Sequence, residues 1–284
     1  MPPWWRVRLS GQGKLDLLAE TLPSVRMFPI RDHNPSEIIP YVTYALLAAN
    51  IGIFLSTLPL RADDDTIFYF YQAWGLVPAE FTAGTGLSNI FTSMFLHGGW
   101  MHLLGNMLFL WIFGDNMEDA FGHFGFLLFY LASGVAAGVA QVAVDPSSFV
   151  PMVGASGAIA GVMGGYLLLY PRAKVDILLI LIVFFRIIPI PAWVMLGLWF
   201  GFQIVAGVAD QAAGGGVAYW AHAGGFVAGF VFTLPLWMRL GSGSYWDRTE
   251  GHPPHPEASY PFAKPSVPSV PRKPRRDQTP WDRK

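Results

Sequence analysis

The stretch DPSSFVPMVGASGAIAGVMGGYLLLYPR, residues 145–172, carries no charge between Asp145 and Arg172. From Val153 to Tyr170 it consists almost wholly of Gly, Ala and larger apolar residues. A hydrocarbon layer about 30 Å thick takes roughly 20 apolar helical residues to cross, and this run is long enough. A helix over Ser156–Leu169 sets Gly157, Gly161 and Gly165 on one face, a small-xxx-small row of the kind that lets helix backbones approach closely. A single hydroxyl, that of Ser156, stands at its start.

The pattern repeats on both sides. Uncharged runs join Glu37 to Arg61, Glu80 to Asp115, Asp119 to Asp145, Arg186 to Asp210 and Asp210 to Arg239. With the first stretch they make six crossings. The expected helices are Tyr41–Leu58 (with Pro40 suited to its first turn), Met101–Phe113, Phe124–Val144, Ser156–Leu169, Ala192–Ala209 and Ala218–Met238. Composition agrees: 53% of the 284 residues are hydrophobic, 13% are charged and the mean hydropathy is +0.40, whereas soluble domains carry about 25% charged residues. The fold class expected is an all-α polytopic membrane protein, a six-helix bundle over residues 39–240. A polar tail, 1–38, precedes it, and a disordered proline-rich tail, 241–284, follows. Leu15–Leu22 suggests a short amphipathic helix. The β-branched stretch Val175–Ile188 is too short to span and reads as a connection lying along the membrane surface, closed off by Pro189 and Pro191. In the long segment before the second crossing, the aromatic cluster Phe68–Tyr71 with Trp74 suits the membrane–water interface.

Charge placement sets the orientation. With six crossings, both tails and the loop after the fourth share one side, and that side holds every one of the 18 basic residues except Arg61. The positive-inside rule places it in the cytosol. Met1–His33 lacks the apolar stretch of a cleaved signal peptide. A net charge of −1 gives no reason to expect a nucleic-acid partner, and the absence of cysteine rules out thiol catalysis and thiolate metal sites.

Few polar side chains lie within the spans, and an ionisable one there is costly and points to function. His97 precedes the second helix, His102 and Asn106 share one of its faces, Ser156 opens the fourth, and His222 lies near the start of the sixth. Singly, each has a plain structural reading: a serine as a small packing residue, a histidine or asparagine as interhelical glue. As metal ligands the three histidines lack a carboxylate or cysteine on the fourth or sixth helix, and His97 and His102 lack the i, i+4 spacing of helical zinc ligands. Depth favours catalysis. Ser156 lies 16 residues from Arg172 and His222 lies 17 from Arg239, so at about 1.5 Å per residue both stand about 24–26 Å above the cytosolic ends of parallel helices. Glycine and alanine at Gly157, Gly161 and Gly165, and at Ala221, Gly225 and Gly229, bring the two helices together. A serine and a histidine at one height can form a nucleophile–base pair. The helix start at Ser156 offers free N–H groups, and His102 and Asn106 offer side-chain donors to an oxyanion. With no Asp or Glu in the fourth or sixth helix, a dyad is implied.

Taken in order, His97-x4-His102-x3-Asn106, Gly154-Ala155-Ser156-Gly157 and Ala221-His222-x2-Gly225 resemble the rhomboid family, over about Met27–Arg239. The resemblance implies the bacterial six-helix type, in the inner membrane with both termini cytosolic. It implies a serine endopeptidase cleaving transmembrane protein substrates within the lipid bilayer, without cofactor or metal. It makes Ser156 the nucleophile, His222 the base, and His102 and Asn106 the oxyanion hole. His97, Gly154, Gly157 and the structural carboxylate Glu118 support them. Two features depart from the family pattern: Ser88 and Asn89 stand where many members carry a Trp-Arg pair, and Ala160 stands where some have a tyrosine that stacks on the histidine. A catalytically silent relative that routes membrane clients would be expected to have lost Ser156 or His222. A channel would need polar residues along a continuous path, and below Ser156 the inner halves of the fourth and sixth helices are nearly all Gly, Ala and larger apolar residues.

Overall fold

A computed structural model describes residues 25–34, 36–181, 184–211 and 217–257. A strand, β1 (Val25–Asp32), precedes helix α1 (Tyr41–Ser56). The long segment that follows folds into short helices, α2 (Asp64–Trp74), α3 (Pro78–Thr82) and α4 (Asn89–Thr92). Then come α5 (Trp100–Val144), α6 (Ser156–Leu169), the strands β2 (Lys174–Leu181) and β3 (Phe184–Pro191), and the helices α7 (Ala192–Gln211), α8 (Tyr219–Arg239) and α9 (Gly243–Thr249). Among the described residues, α5, α7 and α8 contain helices long and apolar enough to cross a membrane, while α1 and α6 are apolar but shorter.

α5 joins two of the expected helices. Its break is at Gly122, with φ 69° and ψ 162°, a backbone region that glycine enters without steric cost. The arm before the break runs past Phe113 because its carboxylates have structural work there. Pro40 provides no side-chain cap for α1, so the first amides of α1 need an acceptor from elsewhere. Glu118, fully buried, supplies it: it accepts hydrogen bonds from Val42 N (2.9 Å), Thr43 N (2.7 Å) and Thr43 Oγ1 (2.7 Å). A carboxylate at a helix N-terminus is also favoured by the helix dipole.

α6 is the central post. Every residue from Gly157 to Tyr166 is buried. Toward α8, a Cβ on Gly225 would strike the carbonyl of Gly157, one on Gly229 that of Gly161, and one on Gly164 that of Phe226. Toward α5, Gly157 meets Ala137 and Gly161 meets Ser133. The glycine row therefore serves two interfaces, not one, and Gly164 belongs to it while Gly165 is covered by Met117, Phe129 and Thr233.

Two expectations need correction. The fold is mostly helical but not all-α: Val175–Ile188 lies within an antiparallel hairpin, β2–β3, and β1 from the N-terminal tail pairs antiparallel with β2, from Val25↔Leu181 to Asp32↔Val175. The β-branched run pairs its backbone groups in a sheet, β2 with a strand on each side and β3 with β2. Pro189 and Pro191 are tolerated because β3 is an edge strand, paired among the described residues with β2 alone. Asp176 ties β1 to β2, taking Arg31 Nε and His33 Nε2 at 2.7 Å each. Beside them, burial together with the nearby Asp115 carboxylate raises the Asp32 carboxyl to about 8. Order also continues past Gly241. α9 buries Tyr245, Trp246 Nε1 donates to Leu168 O at 3.0 Å, and Arg172 N donates to Gly251 O at 3.0 Å. The N-terminal strand, the α6–α7 connection and this tail therefore gather at one end of the bundle, away from Ser156. Leu15–Leu22 and residues 258–284 lie outside the described residues.

Candidate active site

α6 begins at Ser156 and α8 turns its first complete turn at His222, and the close glycine packing brings the two side chains together. Ser156 Oγ is 2.8 Å from His222 Nε2. At that distance the hydroxyl donates to Nε2 when the ring proton is on Nδ1, the geometry needed for a base to take its proton. Ala155 makes no side-chain cap, so the amides of the first turn of α6 are free to face an acceptor. The height argument from sequence is met in space.

Gly154 has φ +135°, and a Cβ there would lie 2.7 Å from His102 Nε2. Glycine is thus required both by its backbone and by the imidazole beside it. His102 Nδ1 accepts from Gly98 N at 3.4 Å. That bond leaves the proton on Nε2, the nitrogen turned toward Gly154 and the serine. Asn106 is 7% exposed and its Nδ2 has no partner among the described residues. Both side chains line, with Ser156 and His222, a cavity of about 1040 Å³. Its walls also include Gly98, Gly157, Gln141 and the 150–154 segment. A buried donor facing a cavity beside a hydroxyl is suited to an anionic oxygen.

The supporting residues divide. His97 is buried, with its ring edge-on to His102 at 5.1 Å, and acts as a wall for that imidazole. Gly157 is a packing residue against Ala137. Glu118 is not brought to the site: it lies about 18 Å along the helix from Asn106, at about 1.5 Å per residue, and caps α1. Among the described residues no group of three His, Cys, Asp or Glu could hold a metal ion.

Sequence reasoning missed three residues. Gln203, on α7, places Oε1 at 2.8 Å from His222 Nδ1 and is 5% exposed. Its signal was available: it is the one amide in the apolar run Ala192–Ala209, and a lone polar side chain in such a helix asks for a partner. Gln141 of α5 accepts from Ala221 N at 3.2 Å, fixing the start of α8 beside the histidine. Arg61, read only as the exception to the charge rule, anchors the first loop. It donates to Gly98 O (2.9 Å), His97 O (2.5 Å) and Tyr71 OH (2.7 Å), with its guanidinium over the Phe54 ring. Further along the loop, Asn89 Nδ2 donates to Ala73 O and Thr92 Oγ1 to Trp74 O. Leu76 and Met152 exchange backbone bonds of 2.9 and 2.8 Å. These contacts hold the loop without a Trp-Arg pair. With Ala160 opposite, rings reach His222 from elsewhere: Trp199 of α7 at 6.0 Å and Tyr219 edge-on at 6.5 Å.

Residues 85–239 match the Rhomboid domain. The chain is 33% identical over 205 residues to "Rhomboid protein 1, mitochondrial" of Saccharomyces cerevisiae, covering 67% of this chain and 52% of that protein. It is 34% identical over 147 residues to "Rhomboid protease GluP" of Bacillus subtilis, covering 52% of this chain and 25% of that protein. Over 78 residues it is 38% identical to "Putative rhomboid protease YdcA" of the same organism, covering 28% and 39%. The chain thus spans about half or less of the length of these relatives.

Proposed function

The chain belongs to the rhomboid family, and from that premise we propose that it is an intramembrane serine endopeptidase cleaving transmembrane segments of membrane-protein substrates. The observation that carries the reading is the 2.8 Å contact between Ser156 Oγ and His222 Nε2. Ser156 attacks the scissile carbonyl as His222 takes its proton. The oxyanion receives His102 Nε2–H, Asn106 Nδ2–H and the free amides at the start of α6. His222 then protonates the leaving amine, and a water activated by the same imidazole hydrolyses the acyl-enzyme. No group on the path needs a metal or cofactor.

The reading takes six crossings: the two arms of α5 counted separately across Gly122, the long apolar α7 and α8, and the shorter apolar α1 and α6. Both termini are then cytosolic, and the basic side faces the cytosol of a bacterial inner membrane. Ser156 sits at the other end, near the outer surface, where the cavity admits water.

The test is proteomic. Membrane-protein fragments released from cells carrying the wild-type chain are compared with those from cells carrying Ser156→Ala. Fragments that vanish with the hydroxyl name substrates and cut sites. An unchanged fragment set overturns the protease reading in favour of a silent client-binding relative.

A further inference from the structure

Among the polar groups that the proposed chemistry does not use, one touches the base itself. We propose that Gln203 is the positioning residue of His222, setting its tautomer and ring orientation from behind. The inference rests on the Ser156–His222 reading and extends it from a dyad to a triad with a neutral third member.

For His222 to act on Ser156, Nε2 must be bare, so in the neutral ring the proton sits on Nδ1. That N–H points away from the serine, into α7. Gln203 Oε1 stands 2.8 Å away and accepts it. Were the amide turned about, its NH2 would donate to Nδ1, the ring proton would move to Nε2, and the base would be lost. Trp199, one turn earlier on α7, leans on the same ring. One helix therefore supplies both the hydrogen bond and an aromatic ring tilted against the imidazole. An amide suits the place. A carboxylate 5% exposed in a membrane bundle would bear a heavy desolvation cost with no cation to offset it, whereas an amide oxygen selects the same tautomer at no charge.

Two variants of the full chain in detergent or bilayer test this. Gln203→Met keeps the length of the side chain and removes the acceptor; Gln203→Glu keeps the acceptor and adds a charge. The first readout needs no substrate: the ¹⁵N resonances of the His222 ring, assigned by their loss in His222→Ala. The wild type should show the Nδ1-protonated form, and Gln203→Met a mixture of tautomers. The second is kinetic. Gln203→Met should lower kcat about ten- to a hundredfold with KM unchanged, as loss of the hydrogen-bond partner behind a metal-bound histidine does, and less than the roughly 10⁴-fold cost of the wrong tautomer in a serine triad. Gln203→Glu should recover part of the kcat lost in Gln203→Met, the desolvation cost limiting the recovery, and should move the acid limb of kcat/KM to higher pH, since an ionised carboxylate favours the imidazolium. A wild type protonated on Nε2, or a Gln203→Met chain with an unchanged tautomer and kcat, overturns the proposal. So does a change confined to KM. A chain that cleaves nothing sinks the endopeptidase reading, while the ring resonances still decide Gln203.

Discussion

Two of the helices beside α8 treat it differently. Against α6 its backbone is in contact: Gly225 and Gly229 press on the carbonyls of Gly157 and Gly161, with no room for a methyl group. Against α7 the contact is made by side chains: Phe200 stacks on Phe226 at 4.8 Å and Gly207 lies against Trp220 and Tyr219. α7 is the least buried of the three long apolar helices, and Gly197 and Gly201 lie on its exposed face with nothing within 4 Å of where a Cβ would stand. The nucleophile and base thus ride on helices whose backbones touch, and the amide behind the base rides on one held through side chains. Reactive atoms need their geometry fixed to a fraction of an ångström. A group that only selects a tautomer tolerates more play.

The sharpest way to break this contrast is Gly225→Leu. Its side chain cannot be placed without parting α6 from α8, so about 3 kcal/mol or more of destabilisation is expected, the upper end for overpacking. The thermal midpoint in detergent and Ser156-dependent cleavage should fall together. A variant that folds and cleaves normally would mean the close contact is dispensable.

Next in size is Asn106→Ala, on the well-packed α5. If the tight side holds a preformed oxyanion site, kcat should drop about 10²–10³-fold with KM unchanged, the loss seen on removing one such donor elsewhere; His102 shares the task and pulls the value toward the lower bound. A raised KM with kcat intact would show that Asn106 grips substrate instead.

The smallest effect should come from Gly201→Ala, on the exposed face of α7. Alanine in a helix interior is favoured over glycine by roughly 0.5–1 kcal/mol, and nothing obstructs it. The melting midpoint should rise by about 2–4 °C at most with kcat/KM unchanged. A loss of activity would show that α7 needs its backbone freedom to work.

Much of this contrast was legible in the residues, and the remainder was not for definite reasons. The uncharged runs and the spacing of Ser156 from Arg172 and His222 from Arg239 place the apolar helices and bring the pair together, because apolar composition and helix rise are local properties. The partner of a strand is not local. β2 finds β1 some 150 positions away, so a β-branched run read alone looks like a surface connection. Gly122 hides as one glycine among many, its positive φ unseen until the arms of α5 are placed. Gln203 has no polar neighbour on its own helix, and its meaning appears only when α7 is laid beside α8. Glu118 was read as structural from the family pattern alone; what it caps required the fold.

That cap has a consequence for how the chain is made. The amides of Val42 and Thr43 wait for a carboxylate 76 and 75 positions downstream. At about 5–20 residues per second of synthesis, the wait is about 4–15 s after the first helix leaves the ribosome. Until then the opening turn of α1 has only water and lipid headgroups for company. The arrival of Glu118 closes it from a later segment, so a nascent chain that has inserted α1 still has an unfinished helix. The cap on α1 can therefore close only after the segment bearing His102 and Asn106 has been made.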